Sequence, residues 1–307
     1  MDNLLKQLES SGYGCHVGSK FTGCIGYADD LVLLSPTLYG LKKMIGICEN
    51  YAREHKIVFN GKKSKLMVFR KSHVSEIADV FVNNEKVERV HCMKYLGHML
   101  YDDRNNSLVS SVNNDFKVQV NTFLGSFQRL TAKVKNNLFL KYCMSFYGSN
   151  LCSLYDKSME QLYVSHRKSL RKIWSIPSRT HNKLLPHISD HVPMEVTLYK
   201  RFMKFFCKGM LNENDTVSFI FNHAIHNSSR LGKNLLFICK KYKLNIRRIN
   251  SCNYDKEILD SWIKSCCTED VRVGHQIREI VEMRDSLEPW LLDYIQCNNM
   301  IEYLAVM

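Results

Sequence analysis

Phe21-Thr22-Gly23-Cys24-Ile25-Gly26-Tyr27, then Ala28-Asp29-Asp30, then Leu31-Val32-Leu33-Leu34: two apolar runs meet at a pair of adjacent carboxylates. The pattern predicts a strand, a tight turn made of the acids and a second strand. Such a hairpin tip holds two anionic groups in one place, where a divalent cation would offset their mutual repulsion. A bare Asp-Asp pair is most often a solvated turn. Set between an aromatic residue and two apolar strands, it is a far more specific signal.

Around this hairpin the first third of the chain reads as mixed. Leu38, Leu41, Ile45, Cys48 and Ala52 recur at helical spacing behind Ser35-Pro36-Thr37, a helix start, and Asn60-Gly61 ends the pattern. Lys65–Phe69 reads as a short buried strand. Val80–Val82 and Val87–Val90 flank Asn83-Asn84 as a second hairpin. Cys92–Leu100 is a further extended segment whose glycine marks a bulge or tight bend.

From about residue 105 the texture becomes helical. Phe116, Val120, Phe123, Phe127 and Leu130 make one apolar stripe, and Leu138, Tyr142, Phe146 and Tyr147 another. Met159, Leu162, His166, Leu170 and Ile173 make a third, leading to Pro177. Met194–Met210, Leu231–Leu244, Glu257–Cys266 and Glu269–Ser286 read as further helices. The expected fold class is α+β. The texture break near 105 and the Pro177–Pro193 stretch divide the chain into 1–105, 106–180 and 181–307.

Composition narrows the partners. With 43 Lys+Arg against 30 Asp+Glu the formal net charge is +13, which favours a polyanionic partner, nucleic acid first and a membrane surface second, over an ordinary solvated basic face. No run approaches the roughly 20 apolar residues of a membrane span, so no membrane partner is expected. Met1–Ser10 lacks a signal-peptide pattern, and the 12 cysteines fall without regular spacing. Together these predict reduced thiols and an intracellular protein, cytoplasmic or nuclear. Cys266-Cys267 and His275 have the spacing of half a zinc knuckle only; the first pair and the closing cysteine are missing.

Ile25-Gly26-Tyr27-Ala28-Asp29-Asp30-Leu31-Val32-Leu33-Leu34 resembles the catalytic hairpin of reverse transcriptases. Phe59-Asn60-Gly61-Lys62-Lys63-Ser64-Lys65-Leu66-Met67-Val68-Phe69 resembles that family's next motif. Met93-Lys94-Tyr95-Leu96-Gly97-His98-Met99-Leu100 resembles the primer grip of non-LTR, LINE-like retrotransposons, with Met93 where an aromatic residue is usual. Asn3–Gly14 resembles the stretch ahead of the hairpin. The likeness covers roughly residues 1–105; beyond that it is architectural, a helical thumb and C-terminal region following a palm.

The resemblance implies RNA-templated DNA synthesis by two-metal nucleotidyl transfer, with an RNA template, a DNA primer and dNTPs as partners and Mg²⁺ as cofactor. Asp29 would be a ligand of the magnesium ions, Asp30 its looser companion, and Tyr27 would lie beneath the primer terminus. Lys63 would stand by the incoming triphosphate or act as general acid for pyrophosphate, against an ordinary surface lysine. Tyr95, Leu96 and Gly97 would run along the primer backbone, against a purely structural bulge. Arg167, Lys168, Arg171 and Lys172, beside His166, make either a phosphate-binding surface or a solvated face. Before Tyr27 the only acids are Asp2 and Glu9, both where the resemblance puts a palm helix, so the family's third carboxylate and its fingers have no counterpart. The expectation is a C-terminal reverse transcriptase fragment that is inactive alone, the alternative being a non-catalytic RNA- or DNA-binding protein derived from the thumb.

Overall fold

The structure, a computed structural model, describes residues 2–69, 78–102, 107–227 and 229–242. Its elements in chain order are α1 (Asp2–Ser10), β1 (His16–Val17), β2 (Lys20–Phe21), β3 (Cys24–Tyr27), β4 (Asp30–Leu33), α2 (Leu38–Glu54), β5 (Lys65–Leu66), β6 (Phe81–Val82), β7 (Glu85–Lys86), β8 (Glu88–Arg89), β9 (Cys92–Tyr95) and β10 (His98–Tyr101). Then follow α3 (Ser107–Ser126), α4 (Ala132–Tyr142), α5 (Met159–Ile173), α6 (Leu185–Ser189), α7 (Met194–Met210), α8 (Asp215–His226) and α9 (Arg230–Tyr242). The class is mixed α+β. Among the described residues no helix is long and apolar enough to cross a membrane. Glu257–Cys266, Glu269–Ser286 and the Cys266, Cys267, His275 set lie outside the described residues.

The described residues of Met1–Asn105 and Gly209–Asn227 form one compact unit, and those of Asn106–Lys208 and Ser228–Met307 form another. In the first, strands pair in twos: β1–β2, β3–β4, β6–β7 and β9–β10 antiparallel, β5–β8 parallel. Its main core joins Leu4 and Leu8 of α1 to Met44, Cys48 and Tyr51 of α2, and the hairpin closes it with Cys24, Leu31 and Leu33. The start of α2 follows from chemistry local to it: Thr37 is extended and its hydroxyl accepts from the Gly40 N–H at 3.0 Å, satisfying an otherwise orphaned donor. α8 belongs to this unit, with the Phe219 ring against the Gly18 turn.

Sequence and structure part company at several elements. The strand read over Lys65–Phe69 shrinks to Lys65–Leu66, because its ladder partner β8 is only two residues long. The second hairpin forms around Asn83-Asn84, but its returning strand starts at Glu85–Lys86 and ends where the Val87 N–H donates to the Val80 carbonyl at 2.9 Å; the chain then continues as β8 beside β5. Cys92–Leu100 does bend at its glycine, and the bend is a full reversal at Leu96-Gly97 that pairs β9 with β10.

The second unit packs α3, α4 and α5 around Phe116, Phe139, Leu162, His166 and Ile173, all buried. The third apolar stripe of the sequence is buried whole, and of the first Phe116, Val120 and Phe123 are buried, while Phe127 and Leu130 lie past the end of α3 and are half-buried. The second does not hold together: α4 stops at Tyr142, Phe146 is buried beyond it, and Tyr142 and Tyr147 face solvent.

Candidate active-site hairpin

Pairing of Tyr27 with Asp30 closes a two-residue loop of Ala28 and Asp29. The carboxylates are therefore not both in the turn: Asp29 is at its second position and Asp30 opens β4. Ala28 has φ +53°, and Asp29 is not left-handed, the pattern of a type II′ hairpin in which glycine is the unstrained choice. A non-glycine residue here holds roughly 1–2 kcal/mol of backbone strain, and α1 and α2 packed beneath the strands supply the support.

Strand alternation sorts the side chains. Cys24, Leu31 and Leu33 turn into the core, and Ile25, Tyr27 and Asp30 are exposed, Tyr27 to 60%. The hairpin thus displays an aromatic ring and an acid as cross-strand neighbours, with the second acid beside them.

β9–β10 ends in a turn of Leu96 (φ +45°) and Gly97 (φ +81°), left-handed at both positions as a type I′ hairpin requires. Glycine at the second position is what makes this turn accessible. Tyr95, immediately before it, has its hydroxyl oxygen out of solvent with no hydrogen-bond partner. Burial first, and the Asp30 carboxylate second, push the Tyr95 phenol above its usual range. Tyr95 and Asp30 are thus within electrostatic reach of each other, a relation that motif spacing did not reveal.

Lys63 is exposed on a loop whose backbone is tightly held. Its N–H donates to Asn60 Oδ1 at 3.0 Å, Ser64 Oγ donates to the Asn60 carbonyl at 2.9 Å, and Asn83 Nδ2 donates to the Phe59 carbonyl at 2.7 Å. Lys62 N–H donates to Glu85 Oε2 at 3.1 Å. Gly61 is buried under this clasp, where a Cβ would lie 2.7 Å from the Val82 carbonyl oxygen. Gly61→Ala is therefore expected to lower the stability of the first unit by about 1–3 kcal/mol, since the obstacle is backbone and cannot rotate away. Thermal melting checks this, and an unchanged Tm would show that the clasp gives way freely.

The basic residues on α5 belong to the second unit and divide by role. Arg167 is paired with Glu160 and, at 3.4 Å, with Glu195. Arg171 donates to the Thr180 carbonyl and Asn182 Oδ1, each at 2.7 Å. These two guanidinium groups tie the unit together. Lys168 and Lys172, one helical turn apart, are exposed.

Two Mg²⁺ ions about 4 Å apart need more oxygen ligands than one pair of carboxylates supplies. Asp29 and Asp30 are the acids at the hairpin, and among the described residues no group of three or more His, Cys, Asp or Glu side chains comes together. The residues present do not fit a two-magnesium centre. Burial pushes the Cys48 and Cys152 thiols up to about 12, which keeps those two protonated. Compared with known proteins, the chain matches no family model and no curated protein.

Proposed function

We propose that this chain carries the catalytic hairpin, primer-grip turn and helical region of a non-LTR-type reverse transcriptase, directed at an RNA template and a DNA primer, and that Asp29 and Asp30 by themselves do not transfer nucleotides. The observation that carries the reading is the β3–β4 hairpin, which presents Tyr27, Asp29 and Asp30 outward at a strained two-residue turn. The Leu96-Gly97 turn, with Tyr95 in reach of Asp30, supports it. In this reading the exposed Tyr27 face meets the primer end, the glycine turn admits the primer backbone, and the pair of acids lacks its third partner.

Primer extension on the purified chain with Mg²⁺ and dNTPs is expected to give no template-dependent product above an Asp29→Ala control. Product above that control would overturn the claim of inactivity. A fusion placing a reverse transcriptase's fingers and first palm strands ahead of Met1 is expected to extend a primer in a manner that Asp29→Ala abolishes. A fusion that folds, binds template–primer and extends nothing sinks the polymerase reading.

A second reading, binding without synthesis, is favoured by the exposure of Lys168 and Lys172 in a chain of net charge +13. It requires RNA–DNA hybrid affinity that falls with salt and weakens in Lys168→Gln/Lys172→Gln.

A further inference from the structure

The second unit carries another surface that neither reading uses. Residues 116–155 contain no aspartate or glutamate in a chain that has 30, while Lys117, Arg129, Lys133, Lys135 and Lys141 fall within them. Among the described residues none of these five cations joins an ion pair. On α4 the buried side is set by Asn136 and Phe139. Helical geometry then puts Lys135, half-buried, and Tyr142, seven residues on, together on one flank of that side, with the exposed Val134 and Lys141 on the face opposite it.

Of the aromatic residues in this stretch, Phe127 is half-buried and Tyr155 partly exposed; the other six divide. Phe116, Phe123, Phe139 and Phe146 are buried, whereas Tyr142 and Tyr147 expose 65% and 62% of their surface. Between the tyrosines the chain is clamped from α7. The guanidinium of Arg201 donates to the Met144 and Ser145 carbonyls and lies 5.7 Å from the centre of the Phe146 ring. Phe146 is thus the inward anchor of a short fixed segment, and the tyrosines leave from its two ends, at most about 18 Å apart along the backbone. Fixing the segment in the free protein removes an ordering cost that a ligand would otherwise bear.

Unpaired cations beside solvent-facing rings select among polyanions. An acidic peptide satisfies the charge but offers the rings little to stack on. A duplex satisfies the charge while hiding its base faces. A single strand offers phosphates and open base faces together. We propose that the C-terminal end of α4 and the 143–147 segment bind single-stranded nucleic acid, Tyr142 and Tyr147 stacking on bases and Lys135 and Lys141 meeting phosphates. This goes beyond the catalytic reading of the hairpin and does not rest on it.

The test is fluorescence anisotropy of the full chain with a labelled oligouridylate, an abasic oligomer of equal length, and an RNA–DNA hybrid. The oligouridylate is expected to bind tightest. Tyr142→Ala/Tyr147→Ala is expected to weaken it at least about tenfold, and Tyr142→Phe/Tyr147→Phe to keep it within about twofold. Lys135→Gln/Lys141→Gln is expected to flatten the slope of log K against log salt by about 1.4. Equal binding of the abasic oligomer, equal displacement by polyglutamate, or wild-type affinity in the alanine variant overturns the proposal. If the alanine variant melts early, the phenylalanine variant decides: it must still prefer the base-bearing strand. Hybrid binding lost only in Lys168→Gln/Lys172→Gln would support the second reading while leaving this surface without a role.

Discussion

Acidifying the protein from pH 7 toward pH 4 is expected to destabilise the helical unit steeply, and replacing His166 by leucine is expected to flatten that response. His166 is buried on α5 with its ring near Phe139 (5.9 Å), Phe116 (6.4 Å) and His191 (6.5 Å), and its Nε2 has no hydrogen-bond partner. Burial is the main cause that lowers its pKa from 6.5 to about 3, with His191 and Arg167 adding to it. Burial lowers His191 as well. A depressed imidazole is neutral when folded and takes up a proton when unfolded. Between about 3 and 6.5 the unfolded chain therefore binds more protons, and stability falls as pH falls. The contribution is fully present above 6.5 and drains away at up to about 1.4 kcal/mol per pH unit for one such group. Urea melts of wild type and His166→Leu at pH 7, 6, 5 and 4 measure the slope directly. Parallel slopes in the two proteins would mean that His166 finds a proton acceptor or opens to water without unfolding.

His166 also illustrates what the sequence made legible. Its spacing with Met159, Leu162, Leu170 and Ile173 put it on the buried face of a helix, and that is where it lies. Its neighbours from α3 and α4 and from position 191 could not be read, because periodicity assigns a face but names no partner. The same limit governs the candidate site. The hairpin and the Thr37 cap were legible because their determinants are adjacent in sequence. The split of Asp29 and Asp30 between turn and strand was not, since it depends on register. Neither was the electrostatic influence of Asp30 on Tyr95, nor the hold of Glu85 and Asn83 on the Lys63 loop, because those interactions cross separate elements. Tyr142 and Tyr147 were misassigned to an apolar stripe for two different reasons: Tyr142 is the last residue of α4 and lies off its buried side, and Tyr147 lies past the end of the helix, where the spacing no longer applies. The lysines around Tyr142 and the absence of acids there were the signal that its face is wet.

The largest single-residue loss is expected from Asn234→Leu. The apolar pattern over Leu231–Leu244 makes position 234 read as core, and the residue is fully buried on α9. Its amide nevertheless carries two hydrogen bonds that helix and sheet ladders do not provide. Oδ1 accepts from the Leu154 N–H, and Nδ2 donates to the Cys152 carbonyl, both at 2.8 Å. Arg230, one turn earlier, donates to the Leu151 carbonyl at 3.1 Å, so α9 satisfies the backbone where the short 3-10 turn Ser149–Leu151 ends and the chain runs on irregularly to Leu154. Leucine matches the volume and the hydrophobicity of the surroundings but leaves a buried donor and a buried acceptor unpaired. At about 1–3 kcal/mol for each orphaned group the variant is expected to lose roughly 2–6 kcal/mol, more than the gain from burying a leucine in place of an amide returns. Asn234→Asp separates the two bonds: it keeps the acceptor for Leu154 but loses the donor to Cys152 and buries a charge, so its deficit should deepen as the pH rises above the carboxyl range. Chemical denaturation of the three proteins at pH 5 and pH 8 distinguishes them. A leucine variant as stable as wild type would mean that water or a rearranged 151–154 segment supplies both partners, and that α9 is held by packing alone.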